Sequence, residues 1–135
     1  MSTQEHTYST TIKAAHLDTF GHVNNATYLT ILEEARWDLI ESRGFGMAKI
    51  KETKLGPTIL EINIKFKKEL KYKEAITIKT TAENHSKILS KIEHRIFNSS
   101  NELCSEASYL IGLFDTAKRK LIAPTPEWLQ AIGLS

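Results

Sequence analysis

The sequence predicts an α+β domain, in which an antiparallel sheet of five or six strands wraps around one long helix. Hydrophobic residues recur with helical spacing over one long stretch after Asn25, whereas at least four later stretches alternate between apolar and polar residues, as half-buried strands do. Short polar turns separate those stretches, which favours hairpins between antiparallel strands over parallel crossovers. The order of strand, long helix and further strands therefore predicts one helix packed on one sheet.

The first predicted strand leads into the long helix. Residues 7–14 place Tyr8 and Ile12 on one side and polar residues on the other. From Asn25 onward the apolar period is helical, and Gly44 is the expected end of this helix after about nineteen residues. The apolar stripe of the helix is wide, as suits a helix wrapped by a sheet.

The remaining elements follow in close succession. Residues 45–56 have a mixed pattern and are interpreted as a loop with a short strand or a helical turn. The strand predicted over residues 58–68 places four apolar residues on one face: Leu60, Ile62, Ile64 and Phe66. Further strands are predicted over residues 74–84, 88–98 and 103–115, and a small terminal helix over residues 127–132.

Length and composition limit the class of protein. The 135 residues are enough for one domain with a core, predicted to span residues 1–135, and too few for two. With 41% hydrophobic and 25% charged residues, the composition is typical of soluble globular proteins. The net charge of +2 is too small to indicate nucleic-acid binding.

The sequence shows no signal for a membrane, for secretion or for a metal. No apolar run approaches the roughly 20 residues that span a bilayer, and residues 1–10 lack the apolar segment of a signal peptide. Cys104 is the only cysteine, which excludes an internal disulfide and suits a reducing compartment. We therefore expect a cytoplasmic protein without membrane insertion. The histidines outside residues 18–36 lack metal-ligand spacing, so no metal is expected.

The functional prediction depends on the polar turn and helix of residues 18–36. Asp18 begins the turn, Gly21 tightens it, and Asn24 and Asn25 can cap the helix. The first N–H groups of a helix have no partner inside it, and its dipole adds about half a positive charge there, so an oxygen that gains negative charge is stabilised. Asp18 precedes Asn25 by seven residues, so its carboxylate and these amides could face one reacting atom. Simple capping is the alternative.

Several residues of this stretch carry a family resemblance: Asp18, Gly21, His22, Val23, Asn24, Asn25, Tyr28, Glu33, Ala35 and Arg36. Together they resemble the signature of the 4-hydroxybenzoyl-CoA thioesterase family, whose members have the hotdog fold. The resemblance implies an acyl-CoA thioesterase, which hydrolyses an acyl-CoA to a carboxylic acid and coenzyme A. Coenzyme A is then part of the substrate, and no separate cofactor is expected. The resemblance also implies a homodimer or homotetramer with active sites at the dimer interface.

The resemblance implies roles for the residues of the motif. Asp18 either attacks the thioester as a nucleophile or activates a water as a general base, and the sequence leaves both routes open. The backbone N–H at the start of the helix, here that of Asn25, polarises the thioester carbonyl. Gly21 permits close approach of the backbone.

Further residues are candidates for binding the substrate. His22 shapes the turn or contacts pantetheine, with a role as catalytic base as the alternative. Asn24 holds the loop through local side-chain bonds. Tyr28 is either core packing or the wall of the acyl slot. Ser86 and Lys87 stand where family members often have a small polar residue that contacts the coenzyme A arm.

Other features leave alternatives open. Glu33 pairs with Arg36 or packs on the side of Trp37, although a glutamate on this helix is the catalyst in other thioesterase branches. His16 departs from the family pattern, in which an acidic residue often occupies that position. The five lysines within residues 65–73 form a solvated strand edge or attract coenzyme A phosphates. The competing functions are a non-catalytic acyl-CoA or acyl-carrier-protein binder and a hydratase or dehydratase.

Overall fold

The computed structural model describes residues 4–134. It contains a six-stranded antiparallel sheet with one long helix packed against it, which confirms the predicted α+β class. The strands are β1 (His6–Thr11), β2 (Leu55–Phe66), β3 (Ala75–Asn84), β4 (Leu89–Phe97), β5 (Leu103–Asp115) and β6 (Lys120–Ile122). The helices are α1 (Asn25–Ser42), α2 (Met47–Thr53) and α3 (Pro126–Ala131), with a 3-10 turn at Ala14–His16.

The sheet has the strand order β1-β3-β4-β5-β2, and β6 pairs with β5. Thr11 at the end of β1 pairs with Ala75 at the start of β3, and Phe66 at the end of β2 pairs with Ser105 near the start of β5. The ends of β1 and β2 therefore lie at the same end of the sheet. The β3–β4 hairpin lies at the opposite end.

The long helix begins and ends where the sequence predicts. Asn24 is the N-cap of α1, and its side-chain oxygen accepts a hydrogen bond from the Ala26 N–H at 2.8 Å. Just beyond the C-terminal end of this helix, Gly44 has φ +85°, a conformation that glycine adopts without strain. The side of α1 that faces the sheet buries Tyr28, Ile31, Leu32, Ala35, Arg36, Leu39 and Ile40. Each large apolar side chain buried there contributes about 1.5–3 kcal/mol to packing.

The structure corrects several predicted boundaries. The first strand ends at Thr11 and not at residue 14, because Ala14–His16 form the 3-10 turn. The helical-turn alternative for residues 45–56 is confirmed by α2. This helix ends at Lys54, which has the left-handed conformation with φ +63°. The sequence analysis missed β6, a strand of three residues.

The predicted apolar face of β2 is wrong at Leu60. The pairing of β2 with β5 steps from Ile59 to Glu61, so Leu60 is the extra residue of a β-bulge and is exposed. After the bulge Ile62, Ile64 and Phe66 do share one face. A bulge reverses which residues face the helix, and a simple two-residue alternation cannot show it.

A cluster of polar side chains lies in the core between α1 and the sheet. His94 accepts at Nε2 a long hydrogen bond of 3.4 Å from Nη1 of Arg36, and its Nδ1 lies 2.8 Å from Oγ1 of Thr80. An arginine can only donate, so the imidazole proton is on Nδ1 and is directed at Thr80. Burial, together with the charge of Arg36, lowers the pKa of His94 to about 3. His94 is therefore a neutral core residue.

Arg36 turns toward the sheet and away from Glu33. Its guanidinium carbon lies 4.5 Å from the ring centre of Tyr109. Among the ion pairs of residues 4–134 there is none between Glu33 and Arg36, so the predicted pairing of these two side chains is wrong. Glu33 is exposed, and it lines a small cavity together with Arg36 and Trp37.

Candidate active site

The turn that begins with Asp18 is closed by its own hydrogen bonds. Oδ1 of Asp18 accepts from the N–H groups of Phe20 (2.9 Å) and His22 (3.1 Å), and the Gly21 N–H donates to the Asp18 carbonyl at 3.1 Å. Gly21 has φ +77°, which a residue with a side chain adopts only with strain. The sequence folds this way because the aspartate side chain accepts hydrogen bonds from the backbone amides that follow it, and because glycine readily adopts the positive φ of the turn.

The carboxylate of Asp18 keeps one oxygen for other partners. The side chain is exposed, and within residues 4–134 its hydrogen bonds are made by Oδ1 alone. An ionised carboxylate has about four acceptor positions. Oδ2 is therefore free to face a substrate or a water molecule.

The start of α1 offers the N–H predicted to bind the carbonyl oxygen. The Asn24 side chain satisfies the Ala26 amide, and the Asn24 carbonyl accepts from Thr27 and Tyr28. For the amide of Asn25, the first in the helix, the described part of the chain supplies no acceptor. The capping thus leaves this one donor at the N-terminal end of the helix dipole available.

A cavity of about 280 Å³ lies beside this helix end. It is lined by His22, Val23, Asn25, Tyr28, Phe66, Lys67, Lys68 and Glu69. The structure thus brings together three predicted site residues, His22, Asn25 and Tyr28. Asp18 is not part of the lining and lies on the turn whose far end, at His22 and Val23, forms the cavity wall.

His22 is oriented by a contact that the sequence analysis did not predict. Its Nδ1 lies 2.8 Å from Oε1 of Glu69, and both side chains are more than half exposed. No local pattern connects these residues, because they are 47 positions apart and meet only when the end of β2 reaches the Asp18 turn. A carboxylate that holds an imidazole can orient a general base, so His22 keeps its alternative role.

Tyr28 forms a wall of the cavity and is also part of the core. Its ring meets that of Phe66 edge-on, with 4.9 Å between ring centres. Tyr28 is buried, and burial raises the pKa of its phenol, while Phe66 is 49% exposed. Both predicted roles of Tyr28 are therefore compatible with its position.

The lysines near the end of β2 are partly neutralised. Lys67 lies 3.5 Å from Glu106, and Lys68 pairs with Glu102. Both lysines line the cavity beside the helix end. An anionic group of a ligand would meet positive charge here, although surface ion pairs of this kind contribute at most about 1 kcal/mol to stability.

Ser86 and Lys87 lie far from the Asp18 turn of the same chain. They belong to the β3–β4 turn, where Oγ of Ser86 accepts from the Leu89 N–H at 3.1 Å. The turn is separated from the start of β3 by the ten residues of that strand, about 30 Å. The structure does not bring these two residues to the cavity within one chain.

Residues 4–134 contain no group of three or more His, Cys, Asp or Glu side chains that could hold a metal ion. In the same part of the chain, no helix has the length and apolarity needed to cross a membrane.

Comparison with known proteins decides the family. The model of the thioesterase-like superfamily matches residues 12–133. The chain belongs to this family. The predicted resemblance to hotdog thioesterases and the predicted enzyme class are thereby confirmed at the level of the thioesterase-like superfamily.

Three similar proteins illustrate the relationship. The chain is 29% identical over 97 residues to the putative acyl-CoA thioesterase YneP of Bacillus subtilis, a match of 72% of this chain and 70% of that protein. It is 34% identical over 67 residues to the long-chain acyl-CoA thioesterase FadM of Escherichia coli, half of each chain. A DHNA-CoA thioesterase from Staphylococcus aureus superposes with TM-score 0.83 at 26% identity, covering 94% of this chain and 87% of that one. The hotdog fold is thus confirmed.

Proposed function

We propose that this member of the thioesterase-like superfamily hydrolyses acyl-CoA thioesters, with Asp18 as nucleophile or general base and the Asn25 N–H polarising the carbonyl. The observation that carries the proposal is the free first amide of α1 beside a cavity whose wall begins at the Asp18 turn. The relatives' names, which describe acyl-CoA thioesterases, support coenzyme A as the thiol part of the substrate.

Two routes balance with the groups present. In the first, Oδ2 of Asp18 attacks the thioester carbon, the C–S bond breaks, coenzyme A leaves as a thiolate, and water then hydrolyses the mixed anhydride. In the second, the same oxygen takes a proton from water, and the hydroxyl adds to the carbonyl before the C–S bond breaks. Both routes place negative charge on the carbonyl oxygen, where one well-aligned N–H donor contributes about 3 kcal/mol to lowering the barrier. Neither route needs a cofactor.

A second copy of the chain completes this proposal. β2 is an edge strand of twelve residues, and Leu60, Ile62 and Phe66 are 40–49% exposed along it. An unpaired edge of this length is a template for pairing with another strand. Pairing of β2 with β2 of a second copy would satisfy the unpaired backbone groups of this edge and join two sheets into one.

The second copy also gives Ser86 and Lys87 their predicted role. They cannot reach the Asp18 turn of their own chain, so a contact with coenzyme A requires the cavity of another copy. Lys67 and Lys68 line the cavity itself and are the nearer cations for the phosphates of coenzyme A. Light scattering that shows a monomer at micromolar concentration would contradict the assembly.

The test is release of free thiol from a panel of short, long and aromatic acyl-CoAs. We expect the wild-type protein to hydrolyse part of the panel, and Asp18→Asn to lose at least a hundredfold, or about 2.7 kcal/mol of barrier. His22→Gln should keep most of the activity. A large loss of thiol release in His22→Gln with an active Asp18→Asn would assign the base to His22 instead. Acyl-CoA binding without thiol release would favour the non-catalytic binder or the hydratase, which leaves the C–S bond intact.

A further inference from the structure

We propose that Glu69 is a positioning residue of the active site, which holds the turn of residues 18–22 in place through the side chain of His22. Glu69 lies outside the motif of residues 18–36, on the segment that follows β2. The inference rests on the proposed function, because it takes the carboxylate of Asp18 as the group that acts on the thioester.

The position of the Asp18 carboxylate depends on the backbone of His22. The His22 N–H donates to Oδ1 of Asp18 at 3.1 Å, and the His22 carbonyl accepts from the Asp18 N–H at 2.8 Å. Because these two hydrogen bonds link the same two residues, a shift of the His22 backbone moves the carboxylate as well. A misplacement of about 1 Å in an active site can cost about a hundredfold in rate.

The turn of residues 18–22 makes few contacts with the rest of the protein. All five of its residues are exposed, and their hydrogen bonds connect them with one another. Within residues 4–134, the contact of 2.8 Å between Nδ1 of His22 and Oε1 of Glu69 is the one polar contact that joins this turn to another segment. The position of the turn on the cavity wall therefore depends on Glu69, together with the chain at the two ends of the turn.

The segment that carries Glu69 is itself well supported. The N–H groups of Lys67 and Lys68 donate to the carbonyl of Cys104 at 2.8 and 3.0 Å, which ties the segment to β5. Leu70, the residue after Glu69, is fully buried. A carboxylate with such neighbours on both sides can serve as a fixed point for an exposed turn.

The contact does not depend on the charge of the imidazole. An ionised carboxylate can only accept, so Nδ1 of His22 carries the proton that is directed at Glu69. This holds for the neutral ring and for the imidazolium, whose second proton is on Nε2. The two lysines that precede Glu69 pair with Glu102 and Glu106, and among the described residues no lysine forms an ion pair with Glu69.

The test measures kcat and KM for the best acyl-CoA of the panel in Glu69→Ala and Glu69→Gln. Both substitutions remove the same negative charge, so any change in the attraction of the anionic coenzyme A is common to both variants. Glutamine keeps an oxygen that can accept from His22, whereas alanine does not. We expect kcat to fall about fivefold in Glu69→Ala, or about 1 kcal/mol of barrier, and to recover to at least half of the wild-type value in Glu69→Gln.

Glu127→Ala is the matched control. Glu127 forms a surface ion pair with Lys49 at the same distance of 2.8 Å, and neither residue lines the cavity beside the helix end. Its kcat should stay within about 1.5-fold of wild type. A double-mutant cycle tests whether Glu69 acts through His22: in a His22→Ala protein, Glu69→Ala should cause no further loss of kcat, because the contact is already absent.

A second measurement follows the turn itself and needs no activity. Loss of the contact favours opening of the turn, so the amide protons of Phe20 and His22 should exchange with solvent faster. We expect NMR to show exchange about fivefold faster in Glu69→Ala than in wild type, and close to wild type in Glu69→Gln.

The outcomes separate the two proposals. Equal kcat in wild type and Glu69→Ala, equal losses in Glu69→Ala and Glu69→Gln, or additive losses in the double variant would overturn the role of Glu69 and leave the proposed function standing. Unchanged exchange of the turn amides would overturn it as well. Faster exchange in Glu69→Ala, in a protein that hydrolyses no acyl-CoA, would refute the proposed function and leave the contact as the support of the turn.

Discussion

Burial of the neutral His94 makes the stability of this protein depend on pH in a defined direction. The imidazole has an ordinary pKa near 6.5 in the unfolded chain and about 3 in the folded protein. Below pH 6.5 the unfolded chain therefore binds a proton that the folded protein does not. The contribution of the neutral His94 to the free energy of unfolding is therefore fully present above pH 6.5, and it decreases as the pH is lowered toward 3.

The size of the effect follows from the difference between the two pKa values. At pH 5 the loss amounts to about 2 kcal/mol, because each unit of pH below the unfolded pKa costs about 1.4 kcal/mol. His94→Gln removes the titration but can still accept from Arg36 and donate to Thr80. We therefore expect His94→Gln to be less stable than wild type at pH 7 and to lose about 2 kcal/mol less between pH 7 and pH 5.

Urea denaturation of both proteins at pH 7, 6 and 5 measures this difference. Carboxylates and the other histidines titrate in both proteins, so the difference between their curves isolates His94. Parallel curves over this range would refute a neutral buried histidine. A protonated His94 next to Arg36 would be the remaining interpretation.

Two further substitutions test the turn and the core. Gly21→Ala adds a methyl group that meets no atom within 4 Å, so its cost in stability is the backbone strain at φ +77°, about 1–2 kcal/mol. Gly21→Asn should lower the melting temperature less than Gly21→Ala, because asparagine tolerates this conformation better. Equal losses of melting temperature would exclude strain as the cause. Tyr109→Phe removes a buried hydroxyl that has no hydrogen-bond partner among the described residues, so its melting temperature should stay or rise by a few degrees. A fall of several degrees would reveal a partner for that hydroxyl.

The sequence predicted those parts of the fold that depend on local patterns. Asn24 and Gly44 mark the two ends of α1 because capping and left-handed φ values are properties of single residues. The strands appeared as two-residue alternation wherever one face is buried. The error at Leu60 arose because a β-bulge is set by the pairing of β2 with β5 and leaves no mark in β2 alone.

The candidate site could be predicted only as far as the local string extends. Asp18, Gly21 and Asn25 were found because a turn followed by a helix start is written in consecutive residues. The contact of His22 with Glu69 and the meeting of Tyr28 with Phe66 depend on the path of the whole chain.

The most direct test of the central claim compares Asp18→Asn with Asp115→Asn. Oδ1 of Asp18 and Oδ1 of Asp115, the last residue of β5, each accept hydrogen bonds from two backbone N–H groups of the turn that follows, so Asp115→Asn is a control for the loss of such an acceptor. We expect kcat/KM for the best acyl-CoA of the panel to fall at least about a hundredfold in Asp18→Asn and to stay within about threefold of wild type in Asp115→Asn. Equal activity in the two variants would contradict a chemical role for Asp18.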